Sequence, residues 1–381
     1  MKRLNIGFVF DDSMDKSDGV QQYILTLFNY FVSKGHNVYF FVGQTSNSNL
    51  PNLYSFSKNL KIKFNHNILS IPYHSLNYKK ISKILDSLKI DVIHVEMPFS
   101  PLMSAKVIKY AYKNKIPVMG TFHILGYTKF QAIGTKLLSL LTKNYIEKFS
   151  KIYSISSPAQ QFSRKYYCID SEILSAPINI EKFKATNQLK NQKINILFLG
   201  RLVERKAPID LLKAIKYMKE QHISTYNRIG QVSVAGSGYQ EEKLKRFVVN
   251  NELTDKVRFL GYVSENEKIR LFQNSHISVF PSRGGESFGI VLIEALSSGN
   301  TLVLAANNHG YSSVLSNLPD QLFNIKDIRG LATKINWFIE NPNELKMSLK
   351  LSRETVKAYD INHIGDKILS DMNNLVAKHI K

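Results

Sequence analysis

Short apolar runs alternate with longer amphipathic segments along the first part of the chain. The apolar runs occupy residues 4–10, 38–42, 90–95 and 116–122, and the segment 20–33 has apolar residues at helical spacing. Short apolar runs bounded by polar turns are typical of buried strands. Because a strand, a loop, a helix and a second strand follow one another, the pattern predicts βαβ units and a parallel sheet.

The same alternation begins again after a segment that is poor in apolar residues. Residues 175–192 contain Pro177 and few apolar side chains, which indicates a linker. A length of 381 residues also exceeds one ordinary core. We therefore predict an α/β protein with two domains, at residues 1–174 and 193–359, followed by a helix at about 360–381.

The net charge of +21 is unevenly distributed. Residues 50–165 contain 18 basic and 4 acidic residues, so the first domain is predicted to have a surface that suits an anionic partner. A lysine-rich genome explains the lysines but not the shortage of acidic residues in this one segment. The single cysteine, Cys168, excludes an intramolecular disulfide and a cysteine metal cluster. No apolar run reaches the 18 residues that a membrane-spanning helix needs.

The most informative stretch, residues 284–294, begins with two glycines after an apolar run. Glycines permit a sharp turn, and we predict a helix that begins near Ser287. The amides of residues 288–291 would lack intrahelical partners and would suit a diphosphate at the positive end of the helix dipole. Glu286 and Glu294 would lie roughly 12 Å apart along a helix, which suits the two ends of a nucleotide sugar. The alternative is a pair of ordinary exposed helix glutamates.

Two other places carry candidate chemistry. His123 lies just beyond an apolar run, where open parallel sheets bind ligands. Arg201 and Lys206 follow the first apolar run of the second domain. Both cations suit a diphosphate leaving group because they would neutralise the charge that grows as the sugar bond breaks. The alternatives are a structural histidine and ordinary surface charge in a basic protein.

These residues resemble motifs of the family-4 retaining glycosyltransferases of the GT-B fold. The resemblance spans nearly the whole chain. Within this family, the chain resembles the lipid-modifying branch, such as phosphatidylinositol mannosyltransferases and diacylglycerol glucosyltransferases. It implies two Rossmann-like parallel-sheet domains that face a central cleft, with the C-terminal helix packed back on the first domain. The motifs are Glu286-Ser-Phe-Gly-Ile-Val-Leu-Ile-Glu294, Gly200-Arg-Leu-Val-Glu-Arg-Lys206, Asp18-Gly-Val-Gln21 and Thr121-Phe-His123.

The resemblance implies a donor site on the second domain and an acceptor site on the first. Glu286 and His123 are the predicted catalytic residues, in contact with the sugar, and Glu294 would hold the ribose. The other predicted nucleotide-sugar-binding residues are Gly19, Arg201, Lys206, Gly261, Tyr262, Val263, Phe288, Gly289, Ile290 and Val291.

Two residues are predicted to contact the acceptor, Gln21 and Phe99. Gln21 keeps the residue type of the family, whereas Phe99 stands near the asparagine that faces inositol in phosphatidylinositol mannosyltransferases. A phenyl ring cannot hydrogen-bond a polyol, which argues against inositol as the acceptor. Asp18 also departs from the family, which usually has a glycine at its position.

The predicted function is transfer of a hexose from a GDP- or UDP-linked sugar to a hydroxyl of a membrane lipid, with retention of configuration. The alternative is a soluble or glycan acceptor with the same donor chemistry. A basic, non-catalytic binding protein is less favoured because no recognised nucleic-acid motif accompanies the charge. No cofactor is expected beyond the nucleotide sugar, which is a substrate. No Asp-x-Asp tripeptide is present, so no metal site is expected.

Two basic segments are predicted to dock on anionic lipid. The segment 72–89 places Lys79, Lys80 and Lys83 beside apolar residues at helical spacing, and the segment 126–151 repeats the pattern. Basic residues beside an apolar stripe are typical of helices that lie in a lipid interface. The alternative is that each stripe packs on the sheet and the lysines are merely solvated. The docking hypothesis implies a cytoplasmic protein associated peripherally with the membrane.

Overall fold

The computed structural model describes residues 2–15, 18–64, 67–126, 129–187, 189 and 193–380. Two compact units are present: unit 1 is Met1–Pro177 with Ile361–Lys381, and unit 2 is Ile178–Asp360. The boundary falls inside the predicted linker of residues 175–192. The later part of that segment contains a short helix that belongs to unit 2, while residues 188 and 190–192 lie outside the described residues.

A seven-stranded parallel sheet forms the centre of the described part of unit 1, with the order β3-β2-β1-β6-β7-β8-β9. Strands β4 and β5 form a separate antiparallel hairpin. The strands are β1 (Asn5–Phe10), β2 (Asn37–Val42), β3 (Leu53–Ser55), β4 (Ser57–Phe64), β5 (Asn67–Ser75), β6 (Val92–Met97), β7 (Val118–Phe122), β8 (Lys151–Ser154) and β9 (Glu172–Ile173).

Helices cover this sheet. Because its central strands are buried beneath them, the sequences of these strands are almost continuously apolar. Every residue of β6 and β7 is buried, as expected for parallel strands that are covered on both faces. The helices are α1 (Gly19–Ser33), α2 (Tyr78–Leu88), α3 (Ser104–Lys113), α4 (Lys129–Ile146) and α5 (Ser157–Tyr167).

Unit 2 has the same architecture around a six-stranded parallel sheet in its described part, with the order β12-β11-β10-β13-β14-β15. Its strands are β10 (Ile194–Leu199), β11 (Ile229–Ala235), β12 (Val257–Gly261), β13 (Ile277–Phe280), β14 (Leu302–Ala306) and β15 (Leu322–Phe323). Its α-helices are α6 (Ile180–Phe183), α7 (Pro208–Gln221), α8 (Ile223–Arg228), α9 (Glu241–Asn250), α10 (Glu265–Asn274), α11 (Ile290–Ser298), α12 (His309–Val314), α13 (Ile328–Glu340) and α14 (Pro342–Val356).

Both sheets have the Rossmann strand order, and each has one point where the order reverses. This point lies between β1 and β6 in unit 1, and between β10 and β13 in unit 2. Open parallel sheets bind ligands beside the carboxyl ends of the strands at this point. The loops after these four strands are therefore the places where a site is expected in each unit.

The last helix, α15 (Ile361–Ile380), belongs to unit 1 and packs on α1. The Tyr30 hydroxyl donates to Asp366 Oδ1 at 2.6 Å. A Cβ atom at Gly365 would lie 2.4 Å from the Tyr30 ring, so glycine at this position allows the two helices to approach closely.

Candidate active site

The loop after β10 is held by the loop after β11. Leu202 N donates to Ser237 O at 2.9 Å, and Gly200 N donates to Ala235 O at 3.0 Å. Gly236 has a φ of +129°, and a Cβ atom there would lie 2.0 Å from Gly200 O. Glycine is therefore required at this position for the close approach of two backbones, and it gives the loop after β10 a fixed shape.

Glu286 is the centre of a charged cluster at the carboxyl end of this sheet. Its Oε1 accepts hydrogen bonds from Arg205 Nη1, from Lys206 Nζ at 2.9 Å and from Ser282 Oγ at 2.7 Å. Arg205 Nη1 also donates to Gly284 O at 3.0 Å. The loops after β10 and β13 are thus tied together through one carboxylate oxygen.

The charges of this cluster determine its protonation. Burial acts to raise the pKa of Glu286, but the charges of Lys206 and Arg205, with hydrogen bonds from Lys206 and Ser282, outweigh it and hold that pKa at about 2. Burial lowers the pKa of Lys206, as do the nearby charges of Arg205 and Arg201, although the charge of Glu286 opposes them. One ionised carboxylate therefore lies among several cations, and the excess of positive charge suits an anionic ligand.

The sequence pattern indicates Lys206 and Arg201 as site residues but not Arg205, which contacts Glu286 directly. Arg201 is exposed. The signal for Arg205 was the second arginine in the run of residues 200–206, immediately before Lys206.

The helix predicted to begin near Ser287 begins at Ile290 instead, as α11. Gly289, at the N-cap position, has a φ of +121°, which is incompatible with helix and favours glycine. A Cβ atom at Gly289 would lie 2.7 Å from the buried Tyr311 ring. The residues between Glu286 and Ile290 are not helical. The separation of about 12 Å predicted for Glu286 and Glu294 from helix geometry therefore does not apply.

The residues around this N-terminus divide between core and site. Phe288 is buried, and its ring lies 5.6 Å from the Tyr359 ring, so its side chain is a packing residue. Ile290 and Val291 are half-buried in the first turn, whose amides have no acceptor within the helix. The prediction that these amides bind a diphosphate stays a prediction.

Glu294 forms a second charged cluster. Its Oε1 accepts from Lys268 Nζ at 2.6 Å, and Lys268 also pairs with Glu265 at 2.8 Å. Burial raises the pKa of Glu294, although the charge of Lys268 opposes this effect. Nearby in sequence, Gly261 has a φ of +66°, Tyr262 is 75% exposed and Val263 is half-buried.

In unit 1, His123 and Glu96 form a buried pair. His123 Nε2 lies 2.5 Å from Glu96 Oε2, and the side chains are 5% and 1% exposed. The two residues meet because Glu96 is on β6 and His123 directly follows the neighbouring strand β7. Burial raises the pKa of Glu96 to about 8, opposed by His94, and burial lowers the pKa of His123 to about 3. Both shifts favour a protonated Glu96 that donates to a neutral His123.

A chain of polar groups surrounds this pair. Thr121 Oγ1 lies 2.8 Å from His94 Nε2 and 3.0 Å from the Tyr23 hydroxyl. The Tyr23 ring meets the His123 ring edge-on at 4.8 Å. Glu96 and His94 are not among the site residues predicted from the sequence. The signal was two ionisable residues two positions apart in an otherwise apolar strand, which places both on one face.

Asp11 was also missed, and it lies where the strand order reverses. It accepts from Ser100 N at 2.5 Å and from Ser100 Oγ at 3.1 Å. Burial raises the pKa of Asp11 to about 6, although these hydrogen bonds and those of Ser104 oppose the effect. Asp11 thereby joins the loops after β1 and β6.

The remaining predicted residues of unit 1 lie near this edge. Gly19 is the first residue of α1 and is exposed, whereas Gln21 is buried and donates to Ser13 O at 2.9 Å. Phe99 is 2% exposed, and its ring lies 5.7 Å from the Phe149 ring. A ring this buried contacts protein atoms, so Phe99 is a packing residue in this structure.

Two family models match consecutive parts of the chain. The Glycosyltransferase Family 4 model matches residues 17–182, and the Glycosyl transferases group 1 model matches residues 179–356. The chain is a glycosyltransferase. These matches confirm the predicted family and the predicted hexosyltransferase.

Similar proteins and structures agree with this assignment. The phosphatidyl-myo-inositol mannosyltransferase of Mycolicibacterium smegmatis is 24% identical over 372 residues, covering 96% of the glycosyltransferase and 92% of that protein. A glycosyltransferase structure from Rickettsia africae has a TM-score of 0.76, with 19% identity and 99% of both chains covered. Anabaena HepE in complex with UDP and glucose has a TM-score of 0.75, with 15% identity and 98% and 100% covered. The predicted GT-B fold is confirmed.

The two predicted docking segments of the glycosyltransferase differ. In α2, the apolar residues Ile81 and Leu85 are buried, while Lys79, Lys80 and Lys83 are exposed. The apolar stripe of α2 therefore packs on the protein. Within the described part of α4, three leucines of one stripe face solvent: Leu137 is 60%, Leu140 66% and Leu141 56% exposed. The side chains of residues 129–133 lie outside the described residues.

Two further observations bear on the predicted surroundings of the glycosyltransferase. None of its described helices has the length and apolarity that crossing a membrane requires. In the part of the chain that the structure describes, His, Cys, Asp and Glu side chains form no group of three that could hold a metal ion. Independence of metal stays a prediction.

Proposed function

We propose that this glycosyltransferase moves a hexose from a UDP- or GDP-linked sugar to a hydroxyl of a membrane lipid, with retention of the anomeric configuration. The observation that carries the donor part is the cluster of Glu286 with Arg205 and Lys206, beside the N-terminus of α11. Anabaena HepE binds UDP and glucose on the same fold, which supports a nucleotide sugar. Retention is proposed from the resemblance to family-4 enzymes.

The donor site performs two tasks in this proposal. Lys206 and Arg201, with the first amides of α11, neutralise the charge that develops on the departing diphosphate. Glu286 is ionised and anchored through Oε1, so we assign its Oε2 to a sugar hydroxyl. Glu294 would accept from a ribose hydroxyl, in the geometry that Lys268 fixes.

The acceptor part of the proposal places the reacting hydroxyl at the carboxyl edge of the unit 1 sheet. His123 contacts the sugar there, and Glu96 orients its ring. The favoured neutral forms of both groups add no net charge beside the reacting centre. This suits a reaction in which positive charge grows on the sugar and negative charge grows on the diphosphate.

A lipid acceptor is supported by two independent observations. Several curated relatives that cover most of the chain are named phosphatidyl-myo-inositol mannosyltransferase. The exposed Leu137, Leu140 and Leu141 lie on α4 beside the exposed Lys136 and Lys143, in the segment that is poor in acidic residues. This arrangement suits a helix that rests on an anionic lipid surface.

The test has two stages. UDP- and GDP-sugars are screened for thermal stabilisation, and the best donor is then offered to vesicles that contain phosphatidylglycerol and diacylglycerol. We expect a glycolipid product whose anomeric configuration, read by NMR, matches the donor. Glu286→Gln should abolish most transfer, whereas Glu252→Gln is a control in the same unit because that carboxylate is 89% exposed.

Other outcomes would redirect the proposal. Product formation only with water-soluble glycans would replace the lipid acceptor while keeping the donor chemistry. Absence of stabilisation by every nucleotide sugar would reject the donor site itself.

A further inference from the structure

Unit 2 contains a cavity that the donor cluster does not use. It has a volume of about 350 Å³ and lies between α7 and α9, beside the loops after β10 and β13. Ile209 from α7 and Phe247 from α9 provide its apolar lining. This volume is within the range of small-molecule sites, at the lower end.

The charged residues that line this cavity are mostly basic. Lys213, Lys243 and Arg283 face it, opposed by the carboxylate of Glu204. Arg283 is held by Asp210, with Nη2 to Oδ1 at 2.8 Å and Nε to Oδ2 at 3.2 Å. Asp210 neutralises Arg283, so the excess of positive charge comes from Lys213 and Lys243 against the single carboxylate of Glu204, and it favours an anionic occupant.

The two lysines differ from their neighbours on the same helices. Lys216 on α7 pairs with Glu220 at 3.5 Å, and Lys245 on α9 pairs with Glu241 at 2.8 Å. Lys213 and Lys243 form no ion pair with any residue that the structure describes. Among the lysines of α7 and α9, which the structure describes in full, the two that lack a carboxylate partner are therefore the ones that face the cavity.

The cavity combines a basic part and an apolar part. A phosphate group would meet Lys213 and Lys243, and the apolar lining would contact the carbon skeleton of the same ligand.

The cavity is connected to the donor cluster by a short path. Arg283 immediately precedes the glycine turn that leads to Glu286, and its backbone N–H donates to Arg205 O at 2.8 Å. Arg205 in turn contacts Glu286 and Gly284 O. An anion that draws Arg283 toward the cavity would act on both loops that hold Glu286.

We propose that this cavity is a second anion site, for a small phosphate monoester such as a sugar phosphate, and that its occupant changes donor affinity through Arg283. Binding at the cavity does not depend on the proposed glycosyl transfer, so the two can fail separately. By linkage, any factor by which the occupant changes donor affinity must equal the factor by which the donor changes occupant affinity.

The experiment uses the full chain, with ribose 5-phosphate as the probe and ribose as the uncharged control. Calorimetry is performed with and without a saturating nucleoside diphosphate. We expect the probe to bind in both conditions, with a reciprocal change in affinity, and ribose not to bind. Lys213→Ser with Lys243→Ser should weaken probe binding at least tenfold. Lys216→Ser with Lys245→Ser removes the same charge from the same helices outside the cavity and should change binding less than twofold.

Three results would overturn the inference. If the nucleoside diphosphate displaces ribose 5-phosphate, the phosphate of ribose 5-phosphate binds in the donor site and not in the cavity. Equal losses in the two double variants would reduce the effect to general surface charge. Absence of probe binding to the unaltered chain at low salt would reject the site, and melting temperatures of both variants show whether they are folded.

Discussion

His123 Nε2 and Glu96 Oε2 lie 2.5 Å apart in a buried part of unit 1, and the surroundings favour the neutral form of each. An isolated buried charge is strongly disfavoured. The proton between the two groups therefore stays in the hydrogen bond from Glu96 to a neutral His123, and the pair does not separate into ions. The pair is thus a positioning device for His123, with consequences for stability and for catalysis.

The first prediction concerns stability against pH. The folded pKa of Glu96 is raised to about 8, so its contribution is present at low pH and is lost as pH rises toward 8. The folded pKa of His123 is lowered to about 3, so its contribution is present above the ordinary histidine pKa and is lost as pH falls toward 3. We expect the melting temperature to fall between pH 6.5 and 8, and Glu96→Gln to flatten this fall.

The catalytic readout of the same variant separates positioning from packing. Glu96→Gln should lower kcat while leaving the affinity for nucleoside diphosphate unchanged, because the donor cluster is in unit 2. The ¹⁵N shifts of His123 should report a neutral ring at pH 7 in the unaltered chain. An imidazolium signal there would contradict the assigned protonation.

The second prediction concerns Glu286. Glu286→Gln should reduce kcat by roughly 100-fold, because a ligand to the sugar is lost. Loss of the Glu286 carboxylate makes the net charge of the cluster more positive, so affinity for the free diphosphate should not fall. Calorimetry with UDP and GDP measures this, and a parallel loss of affinity and turnover would indicate that the loop has collapsed.

The third prediction compares two cations. Arg201→Ala and Lys206→Ala should each weaken nucleoside diphosphate binding by roughly 1.5–3 kcal/mol, as expected for charge-assisted hydrogen bonds. Lys206→Ala should also lower the melting temperature, because it removes a half-buried partner of Glu286. Because Arg201 is exposed, its variant should lower the melting temperature less than Lys206→Ala does. Unchanged affinity in both variants would disprove the phosphate site.

The fourth prediction separates charge from insertion at the lipid surface. Lys79, Lys80 and Lys83 changed to Ser should reduce binding to phosphatidylglycerol vesicles at low salt, since each lysine near such a surface contributes about 1 kcal/mol. That reduction should vanish at high salt, because exposed charges are screened.

The matched variant changes Leu137, Leu140 and Leu141 to Ser. Its loss of vesicle binding should persist at high salt, because it removes apolar area rather than charge. Donor binding should survive in both variants. If neither variant binds vesicles less than the unaltered chain, the docking surface lies elsewhere or does not exist.

The fifth prediction concerns metals. Transfer should continue in EDTA, because Lys206 and Arg201 are expected to carry the neutralisation that Mg²⁺ or Mn²⁺ carries in other enzymes. Restoration of a lost activity by either metal after chelation would show that the diphosphate is bound through an ion.

The sequence predicted the architecture well because apolar periodicity reports burial directly. The sequence predicted less well the places where a loop conformation determines where a helix begins. The sequence predicts Gly289 within a helix, but its positive φ and its close approach to Tyr311 delay the start of the helix to Ile290. Tyr311 is distant in sequence, so local propensity carries no information about this contact.

The site residues show the same division. Glu286 and Lys206 lie in distinctive motifs, whereas Glu96 and Arg205 become significant only through pairing across strands or loops. The apolar spacing over residues 72–89 correctly predicted a helix, α2, but not that its apolar stripe packs on the protein. Sequence periodicity shows that a helix has an apolar face, but it does not show whether protein or solvent meets that face.

The chain leaves unit 1 and returns to it at adjacent backbone positions. Ile178 forms a parallel bridge with Asp360, and Ile178 N donates to Tyr359 O at 2.8 Å. Unit 2 is therefore an uninterrupted insertion whose two ends are neighbours. We therefore expect residues 178–360 to fold when expressed alone, so that nucleotide binding can be measured on this unit. Joining Pro177 to Ile361 through a few glycines would give the corresponding form of unit 1. Deleting α15, by contrast, would expose the apolar surface of α1, where Tyr30 packs against Gly365.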